Sequence, residues 1–233
     1  MQRKSTLRLP AEWESNGAIL LSWPHKNSDW AYMLDEVTFC YINIVKAITQ
    51  ETDVIIVTPD TSIPRQQLKD LDQSQIRYVD IDTNDTWARD FGVISTINPN
   101  GEFILNDFQF NGWGLKFAAC KDNLITRELI KKGILKGIYN NCMGFTLEGG
   151  AIESDGNGLM LTTSECLLSP NRNGDLSKEE IEHYISSQFG LKKILWLDYG
   201  FLEGDDTDSH IDTLARLAPN NTIVYVSTDD PTD

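Results

Sequence analysis

Three segments of the sequence share one design, and they recur about every 60 residues. Each has an acidic or histidine cluster, an apolar strand, a turn and a second strand: NDTWARDFGVISTI-NPNGE-FILNDF, LEGGAIES-DGNG-LMLTT and DTDSHIDTLARL-APNN-TIVYVS. Asn, Gly, Pro and Asp in the turns favour hairpin connections. Asp90 precedes Glu148 by 58 residues, and Glu148 precedes His210 by 62. This spacing predicts a repeated structural unit, although three acidic hairpins without symmetry are the alternative in so acidic a chain.

A helix and a strand follow each of the first two hairpins, which completes the predicted unit. The helices are expected at about residues 120–132 and 177–189. Ser177 and Glu180 have the spacing of a capping box, and Gly190 stands where a C-terminal cap belongs. Helices that alternate with short strands predict a mixed α/β protein, and we expect residues 1–233 to form a single domain. A closed ring of such units would direct the polar residues toward one cavity.

The composition excludes several classes of function. A net charge of −15 argues against a nucleic-acid partner. The charge favours a cationic ligand, or it serves solubility alone. No apolar run approaches the roughly 20 residues of a membrane span. The four cysteines lie far apart, which argues against a disulfide framework or a zinc knuckle, and we expect a cytoplasmic protein.

The acidic and histidine residues of the three segments suit a planar cation. They are Asp85, Asp90, Glu148, Asp206, Asp208, His210 and Asp212. Carboxylates accept the forked N–H groups of a guanidinium in pairs, and histidine transfers protons near neutral pH. The competing interpretation is a metal site built from Asp205, Asp206, Asp208, His210 and Asp212, which lacks the spacing of an EF-hand. We expect no metal and no cofactor.

Five strings then carry a resemblance to a known family. They are WARDFG (87–92), FNGWG (110–114), LEGGAIE (147–153), TTSECLLSPNRN (162–173) and DDTDSHID (205–212). In this order, over essentially the whole chain, they resemble the agmatine deiminase and bacterial-type peptidylarginine deiminase family. The resemblance implies the fold of the pentein superfamily, a five-bladed α/β propeller of ββαβ-like repeats. A chain of 233 residues has room for roughly three to four of those blades.

The family resemblance also implies a role for each site residue. His210 would be the general acid and base, and Glu148 would pair with it. Asp90 and Asp212 would bind the guanidinium, and Asp206 would lie near the substrate. Trp87 would form a pocket wall for the flat cation; plain core packing is the alternative for this residue.

The implied reaction is hydrolysis of agmatine to N-carbamoylputrescine and ammonia, a step of putrescine biosynthesis. In the family, a cysteine thiolate attacks the guanidinium carbon and forms a thiouronium intermediate. That cysteine lies in a G-G-N-x-H-C string, which this sequence does not contain. We therefore expect a C-terminally truncated deiminase domain that is itself inactive.

Two other functions stay open at the level of sequence: peptidyl-arginine deimination, and binding of guanidinium compounds without catalysis. Cys166 is expected to be a buried residue and not the nucleophile, since free cysteine is among the most buried residue types. A homo-oligomer is also left open, with the guanidinium compound as the expected small-molecule partner.

Overall fold

The structure is a computed structural model that describes residues 7–14 and 17–228. Its strands are β1 (Ala18–Ser22), β2 (Asp53–Thr58), β3 (Ile76–Asp80), β4 (Ile94–Ile97), β5 (Phe103–Gln109), β6 (Ile138–Thr146), β7 (Glu153–Ser154), β8 (Leu159–Thr163), β9 (Lys193–Leu197), β10 (Ala215–Ala218) and β11 (Thr222–Tyr225). Its α-helices are α1 (Leu34–Ile48), α2 (Ser62–Gln67), α3 (Ala88–Phe91), α4 (Gly112–Leu115), α5 (Ile125–Lys131), α6 (Ser164–Leu167), α7 (Pro170–Asn173), α8 (Lys178–Phe189) and α9 (Ile211–Leu214). Short 3-10 helices occupy residues 29–33, 73–75, 122–124 and 149–151.

Contacts between Cα atoms divide the chain into two compact units. The hairpin unit takes the described residues within 1–14, 93–117 and 136–233, and the parallel-sheet unit takes those within 15–92 and 118–135. The mixed α/β class predicted from the sequence is confirmed in both units.

The parallel-sheet unit is built on strands β1, β2 and β3. All neighbouring strands are parallel, with Ala18 opposite Asp53 and Val54 opposite Ile76. Strand β2 is almost entirely buried, as expected for a central parallel strand covered on both faces. Its core contains Trp23, whose indole Nε1 donates a hydrogen bond to Gln67 Oε1 at 2.9 Å.

The hairpin unit contains the three hairpins that the sequence predicted. Strands β4 and β5, β7 and β8, and β10 and β11 each pair antiparallel. In the first two cases a third strand adds in parallel, β6 beside β5 and β9 beside β8. The order of hairpin, helix and strand is therefore confirmed twice. The five-bladed arrangement stays a prediction.

Helix α8 shows how the sequence sets a boundary and a buried face. Ser177 and Glu180 form both hydrogen bonds of the capping box. Ile181, Ile185 and Phe189 recur every four residues and are fully buried in the core of the hairpin unit. The Phe189 ring meets that of Phe108 edge to face at 5.7 Å between centroids. Burying each such side chain contributes roughly 1.5–3 kcal/mol.

Each hairpin is entered through a short helical turn that carries one of the recurring polar residues. Asp90 lies within α3, Glu148 directly precedes the turn 149–151, and His210 directly precedes α9. The sequence prediction missed these turns, because four residues are too few to show a helical period. Within the described residues, no helix is long and apolar enough to cross a bilayer.

Candidate active site

Glu148, Cys166 and His210 meet in the interior of the hairpin unit. One ligand-type atom from each of these side chains lies within 4.8 Å of the other two. All three residues are buried, with exposed fractions of 0%, 0% and 2%. Glu148 and His210 were predicted to be neighbours. Cys166 is buried as expected, but its place beside them was missed.

The NRN part of the TTSECLLSPNRN string brings a cation to this cluster. Asn173 exchanges hydrogen bonds with the backbone of Thr146 at the end of β6, at 2.9 Å and 2.8 Å, and so holds α7 beside Glu148. The carbonyl of Asn171 accepts a hydrogen bond from the Asn111 side chain at 2.8 Å. Between these two anchors, Arg172 points inward, and its side chain has no exposed surface.

Arg172 binds three groups at once. Its Nε donates to both carboxylate oxygens of Glu148, at 2.9 Å and 3.0 Å. One terminal nitrogen donates to Asp208 Oδ2 at 2.6 Å, and the other to the carbonyl of Thr207 at 3.0 Å. The role of Arg172 was not predicted from the sequence. Its position in the NRN part of the string was the available signal.

Charge and burial act against each other in this pair. Burial raises the pKa of Glu148, and the charge and hydrogen bonds of Arg172 oppose that rise. Burial alone would lower the pKa of Arg172, but the acidic groups around it, the Cys166 thiol and the carboxyl groups of Glu148 and Asp208, raise it above its ordinary value. A buried carboxylate with a guanidinium at hydrogen-bond distance is the arrangement that keeps both groups ionised.

The loop Asp205–His210 presents the histidine. The Asp205 carboxylate accepts hydrogen bonds from the backbone N–H groups of Thr207 and Ser209 at 3.0 Å and 2.8 Å. Thr207 Oγ1 then accepts the N–H of His210 at 3.1 Å. Asp208 and Ser209 have φ values of +63° and +59°, a conformation that is strained for residues other than glycine. The loop is therefore held by its side-chain contacts against its backbone preference.

The FNGWG string supports this loop from a second side. Residues 112–115 all have positive φ, so that the segment makes a left-handed turn. A Cβ on Gly114 would lie 3.3 Å from Nη1 of Arg172 and 3.5 Å from Oδ2 of Asp208, which leaves little room for a side chain. Just after the turn, Lys116 Nζ contacts Asp208 Oδ1 and donates to the carbonyl of Asp206 at 2.7 Å. Lys116 was not singled out from the sequence.

Asp206 and Asp212 lie on either side of His210 along the chain. The Asp206 side chain is exposed, and Asp212 is half-buried in the first turn of α9. Their predicted contacts with a substrate stay predictions.

Asp90 and Trp87 belong to the parallel-sheet unit. Asp90 is buried in α3, and Trp87 precedes that helix with 44% of its surface exposed. The Trp87 ring lies 5.8 Å from that of Trp30, whose Nε1 donates to Thr86 Oγ1 at 2.8 Å. Such exposure does not fit the alternative of plain core packing. The substrate-binding roles of Asp90 and Trp87 stay predictions.

A buried acid anchors the segment that leads to Trp87. The Asp122 carboxylate accepts the N–H groups of Asn84 and Asp85 at 2.6 Å and 3.1 Å. In return, Asn84 Oδ1 accepts the N–H of Lys121 at 2.7 Å. Burial raises the pKa of Asp122 to about 7. This reciprocal contact fixes the backbone just before the WARDFG string.

Glu148, Cys166 and His210 are also the residues best placed to hold a metal ion in the described part of the chain. Both oxygens of Glu148 already accept hydrogen bonds from the buried guanidinium of Arg172. A metal cation bound there would be repelled by the guanidinium charge, with no solvent between them to screen the repulsion. The metal site considered from the sequence would also use Asp205 and Asp208 as ligands. In the structure, the Asp205 carboxylate binds the loop backbone, and the Asp208 carboxylate binds Arg172 and Lys116. The donor set therefore suits proton transfer better than metal binding.

Comparison with known proteins defines the class. A Vibrio parahaemolyticus protein provisionally named agmatine deiminase is 35% identical over 226 residues, which are 96% of this chain and 62% of that protein. A crystal structure of a provisionally identified peptidyl-arginine deiminase is 44% identical with a TM-score of 0.92, covering 98% of this chain and 68% of that one. A cysteine-to-serine variant of C. jejuni agmatine deiminase with substrate bound is 40% identical with a TM-score of 0.90, covering 98% and 67%.

These likenesses give the chain the α/β fold of the agmatine deiminases. The model of the Porphyromonas-type peptidyl-arginine deiminase family matches residues 8–233, and the chain belongs to that family. The family predicted from the five strings is confirmed. The chain spans about 62% of the length of the Vibrio relative.

Proposed function

We propose that this chain carries the acid–base part of a hydrolase that deiminates agmatine to N-carbamoylputrescine and ammonia. The observation that carries the proposal is the buried group of Glu148, Cys166 and His210, in which Arg172 binds both oxygens of Glu148. A histidine beside an ionised, buried carboxylate is equipped to take and return a proton.

His210 acts twice in the proposed reaction. A thiolate attacks the guanidinium carbon, and the bond from that carbon to one terminal nitrogen breaks as His210 donates its proton to the departing ammonia. Water then attacks the thiouronium carbon and gives a proton to the now neutral His210. The carbon–sulfur bond then breaks as the hydroxyl group of the adduct loses its remaining proton, which the released ammonia takes up as ammonium. This step releases the ureido product and restores the thiolate. Glu148 stabilises the protonated form of His210.

Substrate recognition is assigned by the family resemblance. Asp90 and Asp212 accept hydrogen bonds from the guanidinium, Asp206 lies near the substrate, and Trp87 packs on the flat cation. The exposed face of Trp87 and the burial of Asp90 suit these roles.

The nucleophile is proposed to be a cysteine that this chain does not contain. The sequence lacks the G-G-N-x-H-C string, and the C. jejuni relative was crystallised with substrate as a cysteine-to-serine variant. Cys166 lies in the buried cluster, but it has no exposed surface and stands outside the string that the family resemblance assigns to the nucleophile.

Repetition of the ββαβ unit supports a finer proposal for the fold, the five-bladed propeller of the pentein superfamily, with residues 1–233 as one deiminase domain. Strands β4, β5 and β6 and strands β7, β8 and β9 repeat the same pairing, and β10 with β11 begins it again.

Deimination of arginine within peptides is the second candidate function. It is supported by the description of the family and by the relative that is 44% identical. Agmatine is favoured because it is purely cationic and the chain carries a net charge of −15.

Binding and turnover by the 233-residue chain test the proposal. Agmatine should bind saturably in calorimetry, whereas putrescine, which lacks the guanidinium, should bind at least tenfold more weakly. Asp212→Asn should weaken agmatine binding roughly ten- to a hundredfold, because a charge-assisted hydrogen bond contributes about 1.5–3 kcal/mol. An arginyl peptide that binds more tightly than agmatine would support the second candidate.

Turnover separates the roles of the thiol and of His210. The chain alone should release no ammonia from agmatine, whereas a longer protein that extends this chain to include a G-G-N-x-H-C string should release it. His210→Asn in that longer protein should abolish release while leaving agmatine bound. Turnover by the 233-residue chain that survives replacement of all four cysteines by serine would overturn the thiol mechanism.

A further inference from the structure

We propose that Arg172 is the positioning residue of the acid–base pair, acting on His210 through Glu148 and through the loop Asp205–His210. This inference rests on the proposed acid–base role of His210. It assigns a function to the NRN part of the TTSECLLSPNRN string.

The first line of evidence is the geometry of the guanidinium. Arg172 Nε contacts both oxygens of Glu148, while the two terminal nitrogens contact Asp208 and the carbonyl of Thr207. A planar fork with five N–H groups can span these partners, whereas the single ammonium of a lysine cannot. Since the side chain has no exposed surface, its orientation is fixed by packing.

The second line is the strain in the loop. Asp208 and Ser209 both have left-handed φ values. A strained backbone conformation persists only where contacts from the surrounding structure hold it in place. Arg172 donates hydrogen bonds to the Thr207 carbonyl and to the Asp208 carboxylate, which lie in the loop just before His210. The guanidinium therefore ties the position of His210 to that of Glu148.

The third line is charge. Glu148 has no exposed surface, and a buried carboxylate that loses its cation takes up a proton. A neutral Glu148 could no longer stabilise a protonated His210. Cys166 completes this group, with its sulfur within 4.8 Å of an atom of each of the two residues.

The experiment follows the imidazole signals of His210 by NMR in the 233-residue chain as the pH is varied, with the assignment made by His210→Asn. Arg172→Met should move the titration of His210 to lower pH, in the same direction and to the same extent as Glu148→Gln. The double variant should shift the titration of His210 no further than either single variant, because Arg172 acts on the charge of His210 through Glu148.

The conservative variant separates charge from geometry. Arg172→Lys should leave the His210 titration close to wild type, since a cation remains beside Glu148. It should also increase hydrogen exchange at the amides of residues 207–210 at least tenfold, because the contacts to Thr207 and Asp208 are lost.

Arg216 offers a matched control. Its Nε also donates to a buried glutamate, Glu153, at 2.7 Å. Arg216→Met should leave the His210 titration unchanged. A folded Arg172→Met with an unaltered titration would overturn the proposal, as would an equal shift in Arg216→Met.

If Arg172→Met does not fold, the test rests on Arg172→Lys. Unchanged hydrogen exchange at the amides of residues 207–210 in that variant would refute the positioning role. Neither readout needs substrate or turnover. A chain that fails to bind agmatine would therefore count against the proposed function and leave the role of Arg172 separately tested.

Discussion

Replacing Gly112 with alanine tests whether the left-handed turn of the FNGWG string is needed to hold Lys116 against Asp208. Gly112 has a φ of +73°, and a Cβ added there would lie 2.1 Å from the carbonyl oxygen of Phe117. Because that oxygen is backbone, the overlap can be relieved only by moving the turn. Gly101, in the turn of the first hairpin, has a φ of +83° and no atom within 4 Å of the same added carbon.

The two glycines separate backbone strain from steric overlap. Left-handed φ costs an L-residue roughly 1–2 kcal/mol, so Gly101→Ala should destabilise the protein by about that amount. Gly112→Ala carries the same strain plus the overlap, and we expect a total loss of about 4 kcal/mol or more. In a protein of this size each kcal/mol lowers the Tm by roughly 2–4 °C.

Thermal and urea unfolding of both variants measure this difference, and the imidazole NMR signal of His210 reports on the site. Gly112→Ala should shift that signal, because Lys116 directly follows the turn and contacts the loop that presents His210. Gly101→Ala should leave it unchanged. Equal stability losses in the two variants, or a wild-type His210 signal in folded Gly112→Ala, would refute the reasoning.

Three further predictions concern single side chains. Since burial raises the pKa of Asp122 to about 7, the folded protein keeps a proton that the unfolded chain has lost. The free energy of unfolding should therefore fall as the pH rises from about 4 to about 7, and Asp122→Asn should reduce that fall in urea titrations at the two pH values; an unchanged pH dependence would contradict the assignment. Ser177→Ala removes the capping box of α8 and should cost about 1 kcal/mol in urea unfolding, whereas Ser187→Ala, on the exposed face of the same helix, should cost less. Trp87→Leu should weaken agmatine binding by roughly two- to fivefold in calorimetry, as expected for a partly exposed cation–π contact of about 0.5–1 kcal/mol, and unchanged affinity would remove Trp87 from the binding site.

Local signals in the sequence were sufficient for elements whose partners are close along the chain. The capping box joins Ser177 to Glu180, and Gly190 ends the helix with a φ of +65°. The hairpin turns likewise join strands a few residues apart, and turn chemistry alone selects them. The recurrence of Asp90, Glu148 and His210 also depends on the sequence alone: Asp90 lies within a short helical turn, and Glu148 and His210 each directly precede one.

The supports of the site could not be predicted in this way. Arg172 binds Glu148 and Asp208, which are 24 and 36 residues away along the chain. Apart from its place in the TTSECLLSPNRN string, nothing local distinguishes Arg172 from the other 19 lysines and arginines of the chain. Trp113 and Leu115 adopt positive φ values that bulky residues avoid, so any prediction from local preference would have placed them elsewhere.

The sequence by itself determined the family and the order of hairpin, helix and strand, because both depend on residue types at short or regular spacing. Only the tertiary structure decided that Cys166 lies beside Glu148 and His210, and that Arg172 and Lys116 hold the loop Asp205–His210 in a strained conformation. Such contacts arise when distant segments pack together. The free energy gained by burying apolar side chains and by pairing the buried charges then overrides what each short segment would prefer alone.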